Sequence, residues 1–322
     1  MGGAGRGARI ACESMTETSL TIRDFRPEDA EAVAAAHRAG REHLVMSAEV
    51  LRWLNARPGT DEHFRTFVAE LDGRVVGGVR CGLVTGTTTA GVGYANGSVL
   101  PEFRRRGAGT ALLAAAEQHL IALGVAELHS WLDEEPAALA FAAARGYEQG
   151  RAAHFSARDL TLPLPQAPER PAGVELRPAT DWADDPRPLF LVDADAVRDE
   201  PGEVPMDALE YEDWLRSTWE RPDLDRALTV VTVVDGEPAA LSLAQTDGVD
   251  RYWSAFTACR RAFRGRGLTK LAKLESLRLA AEAGHRRAYT SNDTTNAPML
   301  AINAWLGYER CAGERKGIKR LT

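Results

Sequence analysis

A short run of arginine and glycine residues occurs twice in this 322-residue chain. The first copy is Arg104-Arg105-Arg106-Gly107-Ala108-Gly109, and the second, half a chain later, is Arg264-Gly265-Arg266-Gly267-Leu268-Thr269. Each run separates a stretch with strand character from one with helix character. The first N–H groups of a helix lack partners, and the helix dipole favours negative charge there. Glycines would let a phosphate approach this backbone, and arginines would add charge-assisted hydrogen bonds. The pattern predicts two cradles for a small polyanion.

Two further landmarks repeat in the same order and at nearly the same spacing. Asp72-Gly73 returns as Asp235-Gly236, and Gly146-Tyr147 returns as Gly307-Tyr308. Three ordered landmarks at one offset indicate a duplicated domain. We therefore expect an N-terminal domain at residues 15–161, a proline-rich linker at 162–173 and a C-terminal domain at 174–322. The two domains are called the first half and the second half below.

The predicted elements of each half alternate between strands and helices, so the fold class is α/β. Each half begins with a strand and helical sequence, followed by two strands around its Asp-Gly turn. A central strand then leads into the arginine–glycine run and a long helix that ends at Gly124 or Gly284. A further strand, a short helix and two closing strands complete the pattern.

The net charge of −7 disfavours a nucleic-acid surface, although basic residues cluster at 104–106, 260–266 and 316–320. Such clusters on an acidic protein suit a small polyanionic ligand and leave a surface compatible with a cationic acceptor. The alternative is that the acidity only maintains solubility.

The lack of a recognisable targeting signal and the spacing of the cysteines predict a cytoplasmic protein without a membrane or metal partner. No apolar run approaches the roughly 20 residues that span a bilayer, and the segment Met1–Ser14 does not resemble a secretory signal. Met15 offers an alternative start. The four cysteines, which show no paired spacing, are Cys12, Cys81, Cys259 and Cys311. This spacing argues against a metal knuckle or a disulfide framework.

Neither a Walker Gly-Lys-Ser/Thr nor a Rossmann Gly-x-Gly-x-x-Gly fits the two runs. They resemble the signature Arg/Gln-x-x-Gly-x-Gly/Ala of the GNAT acetyltransferase superfamily. The first run matches closely, whereas the second has Thr269 where Gly or Ala is usual. The later family landmark, an Asn strand followed by a short helix and Leu-Gly-Phe, is similar to Asn292 through Leu306-Gly307-Tyr308. The first half keeps only Gly146-Tyr147.

The resemblance implies two tandem GNAT-like domains, each with a mixed central sheet flanked by helices, that bind the pyrophosphate of acetyl-CoA as co-substrate. The residues implied in binding are, in the first half, Val99, Arg104, Arg105, Arg106, Gly107, Ala108, Gly109 and Thr110. In the second half they are Cys259, Arg264, Gly265, Arg266, Gly267, Leu268, Thr269, Asn292 and Asn296. Thr110 and Asn296 have helix capping as an alternative role.

The resemblance also implies direct acetyl transfer to an amine of a small molecule or peptide, by a monomer or homodimer. Backbone donors on the central strand would polarise the thioester oxygen. The tyrosine that often protonates the leaving thiolate is replaced by Ala142 and Asn303. Catalytic residues therefore stay unassigned, and the candidates are Tyr94, Asp250 and Asn303. Tyr94 has packing as its alternative role, and Asp250 has a place in a solvated turn. A non-catalytic acyl-CoA-binding or scaffold protein is the competing function.

Overall fold

The computed structural model describes residues 19–39, 41–57, 61–87, 89–199 and 209–321. Met1, Met15 and Cys12 lie outside these residues. The elements of the first half are β1 (Leu20–Asp24), α1 (Ala30–Arg38), α2 (Ala48–Ala56), β2 (Arg65–Leu71), β3 (Arg74–Leu83), β4 (Val92–Val99), α3 (Ala108–Ala122), β5 (Glu127–Asp133), α4 (Pro136–Ala143) and β6 (Glu148–Asp159).

The second half repeats this order. Its elements are β7 (Val174–Pro178), α5 (Arg187–Ala196), α6 (Tyr211–Trp214), β8 (Val230–Val234), β9 (Glu237–Thr246), β10 (Arg251–Cys259), α7 (Leu268–Glu282), β11 (Arg287–Asp293), α8 (Ala297–Trp305) and β12 (Glu309–Arg320). The residues between β6 and β7 that were expected to form a linker contain neither a helix nor a strand.

Local sequence explains most of these elements. The hairpins β2–β3 and β8–β9 turn at Asp72-Gly73 and Asp235-Gly236, and all four residues have positive φ angles of 49° to 85°. Two consecutive positive φ angles define the type I′ turn, which matches the twist of the flanking strands. The predicted turns are therefore confirmed.

The helix α3 shows how the cradle helices are held on the sheet. Its residues Leu112, Ala116 and Leu120 recur every four positions, face the sheet and are almost completely buried. Burial of each leucine contributes about 1.5–3 kcal/mol. The helix ends before Gly124, whose φ of +79° suits a left-handed C-terminal position.

The described strands form one twelve-stranded sheet in the order β1-β2-β3-β4-β5-β12-β6-β11-β10-β9-β8-β7. The last strand of the chain, β12, pairs with β5 of the first half, and β6 pairs with β11 of the second half. β6 and β12 also pair with each other at the centre. Each half therefore completes the sheet of the other.

This exchange corrects one prediction. Two closing strands were expected after Tyr147 and after Tyr308, but each half ends in a single twelve-residue strand. Each of these strands has a hydrogen-bonding partner on both edges, so pairing across the halves favours one long strand over a short hairpin. Irregularities in the register of β12 near Ala312 and Gly317 accommodate the extra length.

The helices occupy the two faces of the sheet in a regular way. Val33 of α1 packs against Gly78 on one face, and α5 packs on the same face through Leu241 and Leu243 of β9. The helices α3 and α7 cover the opposite face. The faces are called the α1 face and the cradle face below. In the described part of the chain, no helix is both long and apolar enough to cross a membrane.

Candidate functional site

The two predicted cradles share one backbone conformation. The helix α3 begins directly after Gly107 (φ +90°) and α7 directly after Gly267 (φ +74°), and no side chain caps either start. Two positions earlier, Arg105 (φ +64°) and Gly265 (φ +77°) are also left-handed. The first N–H groups of both helices are thus available to an anion, in the manner of other helix N-termini.

Arg104 and Arg264 hold these loops against their strands. The Nε–H of Arg104 donates to the carbonyl oxygen of Val99 at 3.2 Å, and that of Arg264 donates to the carbonyl of Cys259 at 3.1 Å. The same contact in both halves ties the cradle to the end of the central strand. The sequence predicted phosphate contacts for these arginines, and the structure adds this positioning role.

The second cradle differs from the first because acidic side chains reach it. Asp199 accepts hydrogen bonds from Arg261 at 2.7 and 2.9 Å and forms an ion pair with Arg264 at 2.7 Å. Asp195 accepts a hydrogen bond from the backbone N–H of Arg261 at 2.6 Å. Hydrogen bonds from Arg261 and then Arg264 hold the pKa of Asp199 below its usual value. A phosphate entering this cradle must compete with a carboxylate.

We therefore expect Asp199→Asn to strengthen acetyl-CoA binding at the second cradle by about two- to fivefold, the usual scale for an exposed ion pair. Isothermal titration calorimetry on the full chain measures the effect. Asp181→Asn, which removes an ion pair with Arg177 elsewhere on the surface, is the matched control. Unchanged or weaker binding in Asp199→Asn would show that the carboxylate does not compete.

A cation stacked on an aromatic ring lies beside each cradle, and sequence reasoning missed both. Arg145, just beyond α4, stacks on Phe141 at 3.6 Å and donates to Thr110 Oγ1 at 2.5 Å. In the second half the cation is Lys270 of α7, at 3.7 Å from the ring of Trp305. Thr110 and Lys270 are both the third residue of their helices. The cation beside the cradle thus follows α4 in the first half but lies on α7 in the second half. A search for a repeated motif cannot detect this exchange.

In the first half, side chains bridge the opening between the two parallel strands. The pairing of β4 with β5 ends at Tyr94 and His129. Beyond this point the backbone N–H of Trp131 donates to Asn96 Oδ1 at 2.8 Å, and the hydroxyl of Ser130 donates to the carbonyl of Ala95. The strands separate, but these two hydrogen bonds cross the gap.

The second half keeps one such bridge, because the hydroxyl of Thr290 donates to the carbonyl of Ser254 at 3.3 Å, but its strands open differently. The pairing of β10 with β11 ends at Trp253 and Tyr289, and β10 bulges between Ser254 and Phe256 in its pairing with β9. Ala255 is the extra residue of the bulge and has no partner in β9. The corresponding strand β4 pairs with β3 without any break. A bulge turns backbone groups out of the ladder, and bulges are frequent beside active sites.

Tyr94 is the last residue of β4 that pairs with β5 and so borders the opening of the first half, whereas Asp250 lies away from the opening of the second half. Tyr94 donates its hydroxyl to Glu62, a residue that the sequence did not indicate, and burial followed by the charge of Glu62 raises the pKa of Tyr94. Asp250 precedes β10 at the end where β10 and β11 are paired, and its carbonyl accepts from the backbone of Arg286. Asp250 therefore occupies a turn at the end of β10 opposite the cradle.

The third candidate, Asn303, lies on α8 and is buried. Its Nδ2 donates to Asn292 Oδ1 on β11 at 2.5 Å, while its own Oδ1 is buried without a partner. Asn296 caps α8 by accepting from the backbone N–H of Met299 at 3.3 Å. The structure thus brings Asn292 and Asn303 together and uses Asn296 for the helix start.

The fold and the paired cradles define a class of protein, and comparisons with known proteins agree. Residues 30–147 match the model of the acetyltransferase (GNAT) family. A tandem GNAT protein from the clavulanic acid biosynthesis pathway superimposes with a TM-score of 0.70 at 22% identity, covering 94% of this chain and 98% of that one. A GCN5-related N-acetyltransferase from Sphaerobacter thermophilus gives 0.68 at 23% identity and covers 94% and 95% of the two chains. The chain is a tandem GNAT-fold protein.

Two relatives with named activities are also similar to this chain in sequence. A mycothiol acetyltransferase from Nocardioides sp. is 29% identical over 223 residues, which cover 65% of this chain and 74% of the relative. Another from Cellulomonas flavigena is 33% identical over 157 residues, covering 47% of this chain and 44% of that relative. This tandem GNAT-fold protein is thus similar in sequence to two mycothiol acetyltransferases.

Proposed function

We propose that this protein transfers an acetyl group from acetyl-CoA to an amine of a small molecule or peptide, and that the second half performs the transfer. The bulge at Ala255 carries this proposal. It lies on the central strand between the open β10–β11 gap and the second cradle. Backbone donors fixed at such a position can stabilise charge that develops on a carbonyl oxygen.

The residues present fit acetyl-CoA. Two uncapped helix starts with left-handed glycines suit its pyrophosphate, and Arg264 and Lys270 add positive charge at the second of them. The free Oδ1 of Asn303, beside Asn292 on the cradle face, is a buried acceptor for an amide N–H. Acetyl-CoA would supply a reactive thioester at this place.

The chain's own residues would orient the reactants and supply hydrogen bonds, not a proton. Because Asn303 stands where a tyrosine acid is usual and an amide does not titrate, it can donate a hydrogen bond but not a proton. A thiolate whose conjugate thiol has a pKa of about 8.5 can leave with little protonation. Neither Tyr94 nor Asp250 is assigned as the base, so the amine would lose its proton to water or to another group.

The first half supports a second role, which is binding of acyl-CoA without transfer. Its cradle has the same backbone geometry as the second. However, Asn96 bridges its strand gap, β4 has no bulge, and Ala142 replaces the usual acid. We propose that this half binds the co-substrate or stabilises the second half. We predict that the whole protein is a monomer or a homodimer.

The release of CoA from acetyl-CoA, measured with a panel of amines, tests the function. The relatives are named for mycothiol, so deacetylated mycothiol is the first amine to examine, followed by amino sugars and short peptides. We expect amine-dependent release from at least one of them. Binding of acetyl-CoA without release for any amine would favour the non-catalytic alternative.

We expect Asn303→Ala to lower the rate of CoA release only several-fold, because the loss of one neutral hydrogen bond costs about 1 kcal/mol. Asn55→Ala is a matched control, since Asn55 donates a single hydrogen bond to Leu51 within α2. A loss of many thousandfold in Asn303→Ala, with the control unchanged, would give Asn303 an essential role that this mechanism lacks.

A further inference from the structure

Lys273 of α7 is a buried lysine whose charge has no anionic partner. Its side chain is 1% exposed, and it forms neither an ion pair nor a hydrogen bond with any residue that the structure describes. The ring of Tyr308 lies 5.4 Å from its Nζ, a distance that gives only a weak cation–π contact. Burying a charge without a counter-ion is costly, so packing alone does not explain this lysine.

The first half has no charge at the equivalent position. The helices α3 and α7 both have 15 residues, and the sixth residue is Leu113 in α3 and Lys273 in α7. Leu113 is partly buried and packs against the core of the first half. An apolar side chain therefore fits this position of the fold, and the fold by itself does not require a lysine.

The contacts of α7 place Lys273 beside the opening between β10 and β11. The hydroxyls of Ser276 and Tyr252 are hydrogen-bonded at 2.7 Å, and at Tyr252 the strand β10 is still paired with β11. Lys273 lies almost one turn closer to the second cradle, and helical side chains lean towards the helix N-terminus. Its ammonium is therefore level with the part of β10 beyond Trp253, where the pairing with β11 has ended.

The side of α7 that carries Lys273 faces α8. One turn nearer the cradle, Lys270 lies 3.7 Å from the ring of Trp305 on α8, and Lys273 approaches Tyr308 just after the end of α8. The backbone N–H of Tyr308 donates to the carbonyl oxygen of Asn303 at 3.0 Å. Asn303 has a buried Oδ1 without a partner. Lys273 and Asn303 are thus both neighbours of Tyr308 on the cradle face.

We propose that Lys273 stabilises the leaving thiolate of CoA, an inference that rests on the proposed transfer in the second half. In this step the amine nitrogen forms a bond to the thioester carbonyl carbon, the carbon–sulfur bond breaks, and its electron pair stays on sulfur. The amine loses its proton to water. The ammonium of Lys273 keeps its protons and donates a hydrogen bond to the sulfur.

The buried position makes this charge effective in the transition state. Burial lowers the pKa of Lys273 from its ordinary value to about 7, so the ammonium is populated at neutral pH, and a thiolate beside it favours the ammonium further. The thioester carries no charge, whereas the departing sulfur does. Lys273 therefore interacts more strongly with the transition state than with the bound substrate, which is the requirement for catalysis.

The ultraviolet absorbance of the thiolate of bound CoA, measured against pH in the full chain, tests the proposal without turnover. A free thiol ionises with a pKa of about 8.5. In the wild type we expect the thiol of CoA at the second cradle to ionise about one pH unit lower or more, because a nearby opposite charge favours the thiolate. Lys273→Met should abolish this shift.

Leu113→Met is the matched control, because it changes the same helix position in the first half and should retain the shift. CoA bound at the first cradle contributes equally to all of these proteins. If Lys273→Met does not fold, Lys273→Gln decides, since it also lacks the charge and should also lose the shift. In an amine-dependent assay, the variant without the charge should release CoA about tenfold more slowly or worse.

The outcomes separate this inference from the proposed function. A wild type without the shift, or a shift that persists in a folded Lys273 variant, would overturn the role of Lys273, even if amine-dependent CoA release were observed. Absence of release with every amine would instead contradict the proposed transfer, while a shift that depends on Lys273 would still support a thiolate contact.

Discussion

Gly267→Glu is expected to lower the rate of acetyl transfer by about a hundredfold or more. Gly267 has a φ of +74° directly before α7, so any side chain there is strained by roughly 1 kcal/mol. The added carboxylate also stands at the helix start where the pyrophosphate should bind and repels it. The strain lowers the stability of the fold, whereas the repulsion and the blocked helix start should cost about 2.7 kcal/mol of binding, which corresponds to a hundredfold in rate at limiting acetyl-CoA. Steady-state CoA release with a responsive amine measures this.

Gly284→Glu is the matched control for this substitution. Gly284 follows the other end of α7, has a φ of +94° and has open space around its Cα. It therefore reproduces the backbone strain and the added charge away from the cradle. Gly107→Glu in the first half should have a much smaller effect on turnover. If Gly107→Glu abolished transfer and Gly267→Glu did not, the transfer site would belong to the first half.

Arg104→Glu combined with Gly107→Glu is expected to remove one of two acetyl-CoA sites on the full chain. The variant reverses the charge of the arginine that holds the first loop and blocks the uncapped start of α3. We expect affinity at this site to fall at least about a hundredfold, the equivalent of roughly 2.7 kcal/mol. Calorimetric stoichiometry should change from two to one per chain.

The full chain is required because an isolated first half would lack β12, which covers the edge of β5. Gly124→Glu, at the far end of α3, controls for a charged residue at a left-handed glycine (φ +79°). Two sites of unchanged affinity in the double variant would exclude the first cradle as an acetyl-CoA site.

Much of this protein could be predicted because the relevant physics is local. The Asp-Gly turns, the helix starts after Gly107 and Gly267 and the helix end before Gly124 depend on residues a few positions apart. Their left-handed φ angles are available to glycine at little cost. The duplication was visible for the same reason, since each half carries its own copies of these signals.

The tertiary structure decided what depends on residues far apart in the chain. The register between β12 and β5 brings Glu314 beside Asp133 and Arg41, although no local pattern links them. The predicted pair of closing strands failed because the exchange supplies partners on both edges of a single strand. Pairing of this kind is set by burial and hydrogen bonding across the whole sheet, not by strand propensity.

The structural difference between the halves was decided at the same level. The arginine–glycine runs by themselves determined two similar anion cradles. Only the folded sheet shows that Asn96 bridges the gap between β4 and β5, while β10 bulges at Ala255. Backbone conformation at a glycine is a property of a few residues, whereas strand gaps and charge clusters are created by the packing of distant segments.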